Sequence, residues 1–158
     1  MPLSQLLFSF QGRINRKPWW LVGLALLAVT VVVMGTVFVA AGGAVGNDAL
    51  DSVASLGAVA LIMFLLLIPL IWIGLALGAK RLHDRNKSAW WLAVFYLVPS
   101  LLDGAGSAAG GAGVIFSIAG LAISIWGLVE LGFLRGTVGP NQYGPDPLEA
   151  GSEFVPAR

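Results

Sequence analysis

The densest group of ionisable residues in this sequence is segment 80–88, which reads Lys-Arg-Leu-His-Asp-Arg-Asn-Lys-Ser. It contains four cations, one carboxylate and His83, the single histidine of the chain. If the preceding helix continues for one turn, Arg81 and Arg85 lie on one face, where two guanidiniums suit a phosphate or carboxylate ligand. His83 beside Asp84 has the residue types of a general base and its orienting carboxylate. No nucleophile elbow or oxyanion-hole motif surrounds them, so we expect no catalytic residues and no enzymatic activity.

The composition indicates an integral membrane protein. Of the 158 residues, 58% are hydrophobic and 11% are charged, whereas a soluble domain has about 25% charged residues. The net charge of +1 argues against a nucleic-acid partner, which would require a concentrated basic surface. With no cysteine and one histidine, we expect neither a disulfide nor a metal site, and no cofactor.

Four stretches without charge are candidates for membrane spans, because about 20 apolar residues cross a bilayer core. We predict an all-α protein with four transmembrane helices at about 18–41, 53–79, 88–104 and 113–134. The third stretch is short and contains Pro99, so a re-entrant hairpin is the alternative to a full span there. The first uncharged run far exceeds the hydrophobic region of a signal peptide, so we expect it to be retained.

The placement of the charges predicts the orientation. With four spans, Arg13, Arg16 and Lys17, the cations of segment 80–88, and Arg135 all fall on one side. The opposite loops carry only carboxylates, namely Asp48, Asp51 and Asp103. Lys and Arg in short loops stay in the cytoplasm, so we expect both termini to be cytoplasmic. Cations in such loops also meet anionic lipid headgroups, and this alone could explain segment 80–88.

The regions next to the spans carry typical interface residues. Leu3, Leu6, Leu7 and Phe10 recur at helical spacing and predict a short interfacial helix over 2–11. Tryptophans at the cytoplasmic starts of two spans are expected to anchor them at the interface; they are Trp19, Trp20, Trp90 and Trp91.

Small residues predict close helix packing. Gly74 and Gly78 form a GxxxG pair, and Ser117, Gly120, Ser124 and Gly127 follow one side of the fourth span. Their partner could be another helix of the chain or a second copy, so a homo-oligomer is possible.

Glu130 is the one ionisable residue inside a predicted span and is therefore a functional candidate. The alternative is structural: Glu130 reaches the interface and pairs there with Arg135, Arg81 or Arg13. Its position near the end of the span argues against a carboxylate for proton transport at mid-bilayer.

Beyond the fourth span, segment 136–147 contains three prolines and three glycines in twelve residues. This composition predicts a series of turns close to the membrane surface. We expect residues 148–158 to form a disordered tail, in which Gly151-Ser152-Glu153-Phe154 is typical of a cloning remnant.

Three motifs together resemble a known family. They are Phe10-x-Gly-Arg13-x-x-Arg16-x-x-Trp19-Trp20, Arg81-Leu-His-Asp84-x-x-x-Ser88-x-Trp90-Trp91 and Gly136-Thr-x-Gly-Pro-Asn141-x-Tyr-Gly-Pro-Asp-Pro147. In order and spacing they resemble the small bacterial inner-membrane proteins catalogued as domain of unknown function 805. The resemblance implies the bacterial inner membrane as location, and it carries no assigned activity.

The predicted topology brings the three motifs to one side of the membrane, where we expect them to converge into a cytoplasmic cap. The candidate ligand-binding residues of this cap are Arg13, Arg16, Arg81, His83, Asp84, Arg85, Asn141 and Asp146. The leading hypothesis is a non-enzymatic protein whose cap binds anionic lipid headgroups, a phosphorylated ligand or a protein partner. A purely architectural ion-pair network remains an equal interpretation of the cap. The alternative function is a small oligomeric transporter or channel, and a membrane enzyme with His83 as base ranks third.

Overall fold

The computed structural model describes residues 2–44 and 49–149, and within these ranges the chain is helical without a β-strand. The helices are α1 (Leu3–Phe8), α2 (Arg16–Ala44), α3 (Ala49–Asp84), α4 (Trp91–Ala108) and α5 (Gly113–Leu128). A 3-10 turn at Gly110–Ala112 connects α4 to α5, and α5 continues into a π-helical turn at Val129–Phe133. Of the predicted disordered tail, only Leu148 and Glu149 lie within the described residues.

Four of these helices are long and apolar enough to cross a membrane. The stretches are Arg16–Val39, Gly57–Asp84, Trp91–Ala108 and Gly113–Phe133. The all-helical fold with four long apolar helices is therefore confirmed. The third stretch has the lowest mean hydropathy, 1.2 over 18 residues, and its length of about 27 Å approaches the thickness of a bilayer core.

The helix bounds differ from the predicted ones mainly at the polar ends. The first helix covers Leu3–Phe8 rather than 2–11, and α4 begins at Trp91 and extends to Ala108. Helix α3 continues to Asp84, so part of segment 80–88 forms its last turn. Cations are stabilised at a helix C-terminus because the carbonyl ends carry partial negative charge.

The chain divides into two compact units, one made of the residues up to Trp20 together with those from Leu75 onward, and the other of Leu21–Gly74. The second unit consists of apolar helical segments on either side of the residues left undescribed. The first unit contains the hydrophobic core, in which Ala79 and Leu82 of α3 pack with Leu92 and Phe95 of α4 and with Leu131.

Glycines spaced by seven residues bring α4 and α5 together. Gly106, Gly113, Gly120 and Gly127 are all buried. Added Cβ atoms would lie 3.4 Å from the Pro99 carbonyl at Gly120 and 2.9 Å from the Phe95 ring at Gly127. The small-residue side of α5 thus has a partner within the chain. Ser124 lies beside it and donates to the Gly120 carbonyl at 3.0 Å.

Of the predicted GxxxG pair, Gly78 is closely packed within the described part of the chain and Gly74 is not. A Cβ at Gly78 would lie 2.7 Å from the Leu92 side chain, whereas a Cβ at Gly74 would have no neighbour within 4 Å.

We predict opposite effects for two glycine-to-alanine substitutions. Gly127→Ala forces a methyl group against the Phe95 ring and should destabilise the fold by about 1–3 kcal/mol. Gly104→Ala, in α4, adds a methyl group with nothing within 4 Å and should stabilise the helix by up to about 1 kcal/mol. Thermal unfolding in detergent micelles measures both, and an equal shift in Tm for the two variants would contradict this packing.

Candidate functional site

The C-terminal end of α5 has its carbonyl groups bound by side chains. A helix end leaves its last carbonyls without intrahelical partners, which is costly close to a membrane. Here the carbonyls of five successive residues each accept a hydrogen bond. The pairs are Arg81 Nε to Leu131 (2.7 Å), Trp20 Nε1 to Gly132 (3.0 Å), Arg16 Nη1 to Phe133 (3.0 Å), Arg81 Nη2 to Leu134 and Arg85 Nη1 to Arg135. Three guanidiniums therefore stabilise the negative end of the helix dipole.

A second set of carbonyls, from the turn-rich segment 136–147, is bound by Arg13. Its guanidinium donates to the carbonyls of Thr137 at 2.7 Å, Gly139 at 2.8 Å and Gly144 at 3.1 Å. Gly139 and Gly144 have positive φ values of 75° and 135°, which glycine adopts without strain. The predicted turns thus form around one buried arginine.

Asp84 joins the two sets. Its Oδ1 accepts from Arg13 Nε at 3.3 Å and from Nη2 at 3.1 Å, and its Oδ2 accepts from Arg81 Nη1. Arg13, Asp84 and Arg81, here called the Arg–Asp–Arg triad, are 5%, 3% and 0% exposed. Two cations share one carboxylate, and five backbone carbonyls accept the remaining guanidinium hydrogen bonds described above. A buried charge requires such complete pairing.

The segment that follows α5 lies directly on Asp84. A Cβ at Gly136 would collide with the Asp84 carboxylate, so only glycine fits there. Thr137 donates to the Asp84 carbonyl through its backbone nitrogen at 2.8 Å and through its hydroxyl at 3.1 Å. The end of α3 is thereby tied to the chain beyond α5.

Asn141 and His83 form the next layer of the cap. Asn141 Nδ2 donates to the His83 carbonyl at 2.9 Å and to the Thr137 hydroxyl at 2.8 Å, and Asn141 Oδ1 accepts from the Tyr143 nitrogen at 2.9 Å. The His83 ring stacks on Tyr143, with 3.9 Å between ring centroids. Its Nδ1 lies 3.2 Å from the Gly12 carbonyl. Asp84 does not orient this imidazole, because both oxygens of its carboxylate bind arginines.

Glu130 is 3% exposed in the π-helical turn. Its Oε1 lies 3.0 Å from Arg85 Nε and 2.8 Å from Lys87 Nζ. These partners differ from Arg135, Arg81 and Arg13, the ones expected from the sequence. The carboxylate is thus paired, as the structural interpretation of Glu130 requires.

Lys80 is a residue of the cap that sequence reasoning missed. It is fully buried, and its Nζ donates to the Gln5 carbonyl at 2.8 Å and to the Leu6 carbonyl, at the end of α1. Lys80 and Asp84 are four residues apart and therefore lie on one face of α3. This spacing could have identified Lys80 from the sequence.

Asp146 holds a turn rather than an arginine. Its carboxylate accepts from the Leu148 nitrogen at 2.9 Å and the Gly139 nitrogen at 3.1 Å. These backbone donors, that of Leu148 foremost, hold the pKa of the Asp146 carboxyl below its usual range. The residue still lies beside the triad, since it lines a polar cavity of about 20 Å³ together with Arg81 and Asp84.

The four predicted anchor tryptophans take different positions. Trp20 binds the Gly132 carbonyl, Trp19 packs against the core, and Trp91 contacts Phe95 and Trp126. Trp90 is 82% exposed, as an interface residue would be.

The four long apolar helices and the polar cap next to them are characteristic of a multi-pass membrane protein. Comparison with known proteins gives the family. Residues 7–145 match the family model described as "Protein of unknown function (DUF805)", so the chain belongs to this family and the resemblance of its three motifs is confirmed.

Two curated relatives come from Escherichia coli, strains K12 and O157:H7. Each is called "Uncharacterized protein YiiR" and is 30% identical over 149 residues, which cover 92% of this chain and 90% of the relative. No solved structure matches the chain.

We predict that the triad dominates the stability of the cap. Asp84→Asn leaves two buried guanidiniums without a counter-charge and should cost about 3–5 kcal/mol. Glu130→Gln is the matched control. Its partners Arg85 and Lys87 keep 24% and 30% of their side chains exposed, so they can return to water at lower cost. Equal losses in the free energy of unfolding would contradict this difference.

We predict an acid-sensitive contribution from Asp146. Its pKa is lower in the folded protein than in the unfolded chain, so the unfolded chain takes up the proton first as the pH falls. The stabilisation is present above about pH 4 and disappears as the pH falls through the folded pKa. The Tm of the wild type should therefore drop more between pH 5 and pH 3 than that of Asp146→Asn, and parallel curves would contradict this role.

Proposed function

We propose that this protein is a non-enzymatic protein of the bacterial inner membrane, with both termini in the cytoplasm, whose cap binds anionic lipid headgroups through exposed cations at its edge. The observation that carries the proposal is the separation of the cations by exposure. Arg13, Lys80 and Arg81 are buried and used by the protein itself, and Arg85 and Lys87 are half-buried and pair with Glu130. A further group is exposed next to them.

The buried group supports the fold rather than a ligand. Arg13 and Arg81 direct their guanidiniums to Asp84 and to backbone carbonyls, and Lys80 binds the end of α1. A ligand phosphate could bind these residues only by displacing their buried partners, at the desolvation cost of each. The candidate headgroup site is therefore not at the centre of the cap.

The exposed group consists of Arg16, Lys17 and Arg135, here called the basic rim. Arg16 and Arg135 line the same small polar cavity as Arg81 and Asp84, so both lie next to the Arg–Asp–Arg triad. Arg16 is held by its bond to the Phe133 carbonyl, and a guanidinium fixed in this way still has donors for a phosphate. Each cation near an anionic surface contributes about 1 kcal/mol.

The transporter or channel alternative has less support. Hydroxyl groups in α2 and α5 donate to carbonyls one turn earlier in their own helices: Thr30 to Leu26, Thr36 to Val32 and Ser124 to Gly120. The protons of these hydroxyl groups are thereby used within each helix and are not available as donors to a permeating solute.

We predict that the Arg16→Gln, Arg135→Gln double variant binds phosphatidylglycerol about 30-fold more weakly, since it loses two cations worth together about 2 kcal/mol. Titration in micelles with native mass spectrometry of the retained lipid measures this. The matched control, Arg16→Lys with Arg135→Lys, keeps both charges and should retain most of the binding. Wild-type affinity in the glutamine variant would contradict the proposal. If inorganic phosphate displaces phosphatidylglycerol from the wild-type protein, the phosphate group is the part of the lipid that is recognised.

A further inference from the structure

A groove of about 510 Å³ lies where α3 ends and α4 begins. Its wall is apolar and includes Leu75, Leu92, Ala93 and Leu97. The volume falls within the range of small-molecule sites, about 300–1,000 Å³. This groove is separate from the basic rim, whose residues do not line it.

The groove carries no charge, although it borders a cap rich in ions. Its lining includes no Lys, Arg, Asp or Glu side chain, and its polar side-chain groups are those of His83, Ser88, Trp90, Tyr96 and Tyr143. Burying a charged ligand group without a partner is costly, so the groove selects against anionic headgroups. Its complement is an uncharged molecule with a small polar group.

His83 supplies a hydrogen-bond acceptor, because the fold determines which of its two ring nitrogens carries the proton. A carbonyl can only accept, so His83 Nδ1, which faces the Gly12 carbonyl, carries the proton. In the neutral ring Nε2 is then an acceptor. Among the described residues Nε2 has no hydrogen-bond partner, and it is not buried. The stacked Tyr143 holds the ring in place.

The groove also has a direction. His83 and Ser88 lie at one end, whereas Leu75 lies eight residues before His83 in α3, about 12 Å along the helix. Tyr96, next to Leu97 in α4, adds one hydroxyl group further along the groove. Leu75 and Leu97 belong to the stretches that are apolar enough to cross a membrane, and Ser88 belongs to the loop between them. A molecule in the groove would thus place a polar group at the loop and a hydrocarbon chain along α4.

We propose that this groove binds an uncharged lipid bearing a hydroxyl group, which donates to His83 Nε2 while the hydrocarbon chain lies against Leu75 and Leu97. Diacylglycerols and isoprenoid alcohols share this chemistry. The proposal does not depend on headgroup binding at the basic rim.

The single histidine of the chain makes a direct test possible. Protein produced with isotope-labelled histidine and without a polyhistidine tag gives one pair of imidazole signals in the nitrogen NMR spectrum. In micelles, these signals should show a protonated Nδ1 and an unprotonated Nε2. The opposite tautomer would overturn the proposal, since Nε2 would then have no lone pair to offer.

Addition of dioctanoylglycerol or farnesol, in separate titrations, should move the Nε2 signal in a saturable way towards the position of a hydrogen-bonded nitrogen. The lipid that saturates at lower concentration identifies the preferred hydrocarbon part. Methyl ethers of the same lipids, which lack the donor, should leave the Nε2 signal in place. Absence of a saturable shift with both alcohols would overturn the proposal.

Two substitutions on α4 provide the structural control. Leu97→Trp fills the groove, whereas Leu101→Trp places the same side chain one turn further on, outside the lining residues. Leu97 and Leu101 are similarly exposed, at 60% and 71%, so both variants should fold. We expect the lipid-induced shift to disappear in Leu97→Trp and to persist in Leu101→Trp. An unchanged shift in both variants would show that the lipid binds elsewhere.

Discussion

Two buried guanidiniums share the single carboxylate of Asp84, and the rest of the cap is arranged around that shared charge. Asp84 is at the end of α3, Arg13 precedes α2, and Arg81 lies one turn before Asp84 and binds the end of α5. Three distant parts of the chain therefore meet at one ionic group. Removing Asp84 leaves two buried guanidiniums without a counter-charge, and removing either arginine leaves backbone carbonyls without their donors, so this arrangement tolerates little variation.

The same constraint separates the polar residues that stabilise the fold from those that remain exposed. Carbonyls at the end of α5 and in the turn-rich segment need donors, and four arginines supply them: Arg13, Arg16, Arg81 and Arg85. Of the cap's cations, Arg16, Lys17 and Arg135 are exposed at its edge. His83 remains outside the ionic network and borders an uncharged groove instead. The two proposed ligands, anionic headgroups at the rim and an uncharged lipid alcohol in the groove, would therefore bind separate surfaces of one cap.

Much of the fold could be predicted from the sequence, because a bilayer requires long apolar helices and leaves few alternatives. The meeting of Arg13, Arg81, Asp84 and Asn141 could also be predicted, since the predicted topology brings their three motifs to the same side. The individual pairings could not. His83 and Asp84 are neighbours in sequence, yet a helix directs adjacent side chains to different sides, so Asp84 binds arginines and His83 stacks on Tyr143. The partners of Glu130 and the role of Lys80 depend on where α3 ends, which hydrophobicity does not determine.

The most direct test of the central claim is a double-mutant cycle between Arg13 and Asp84, measured as free energies of unfolding in detergent. The variants are Arg13→Met, Asp84→Asn and the two combined. If the side chains form one buried ionic unit, the combined variant loses less stability than the sum of the single variants, by about 1–3 kcal/mol. Additive losses would mean that the two residues act independently, and would contradict the account of the cap given above.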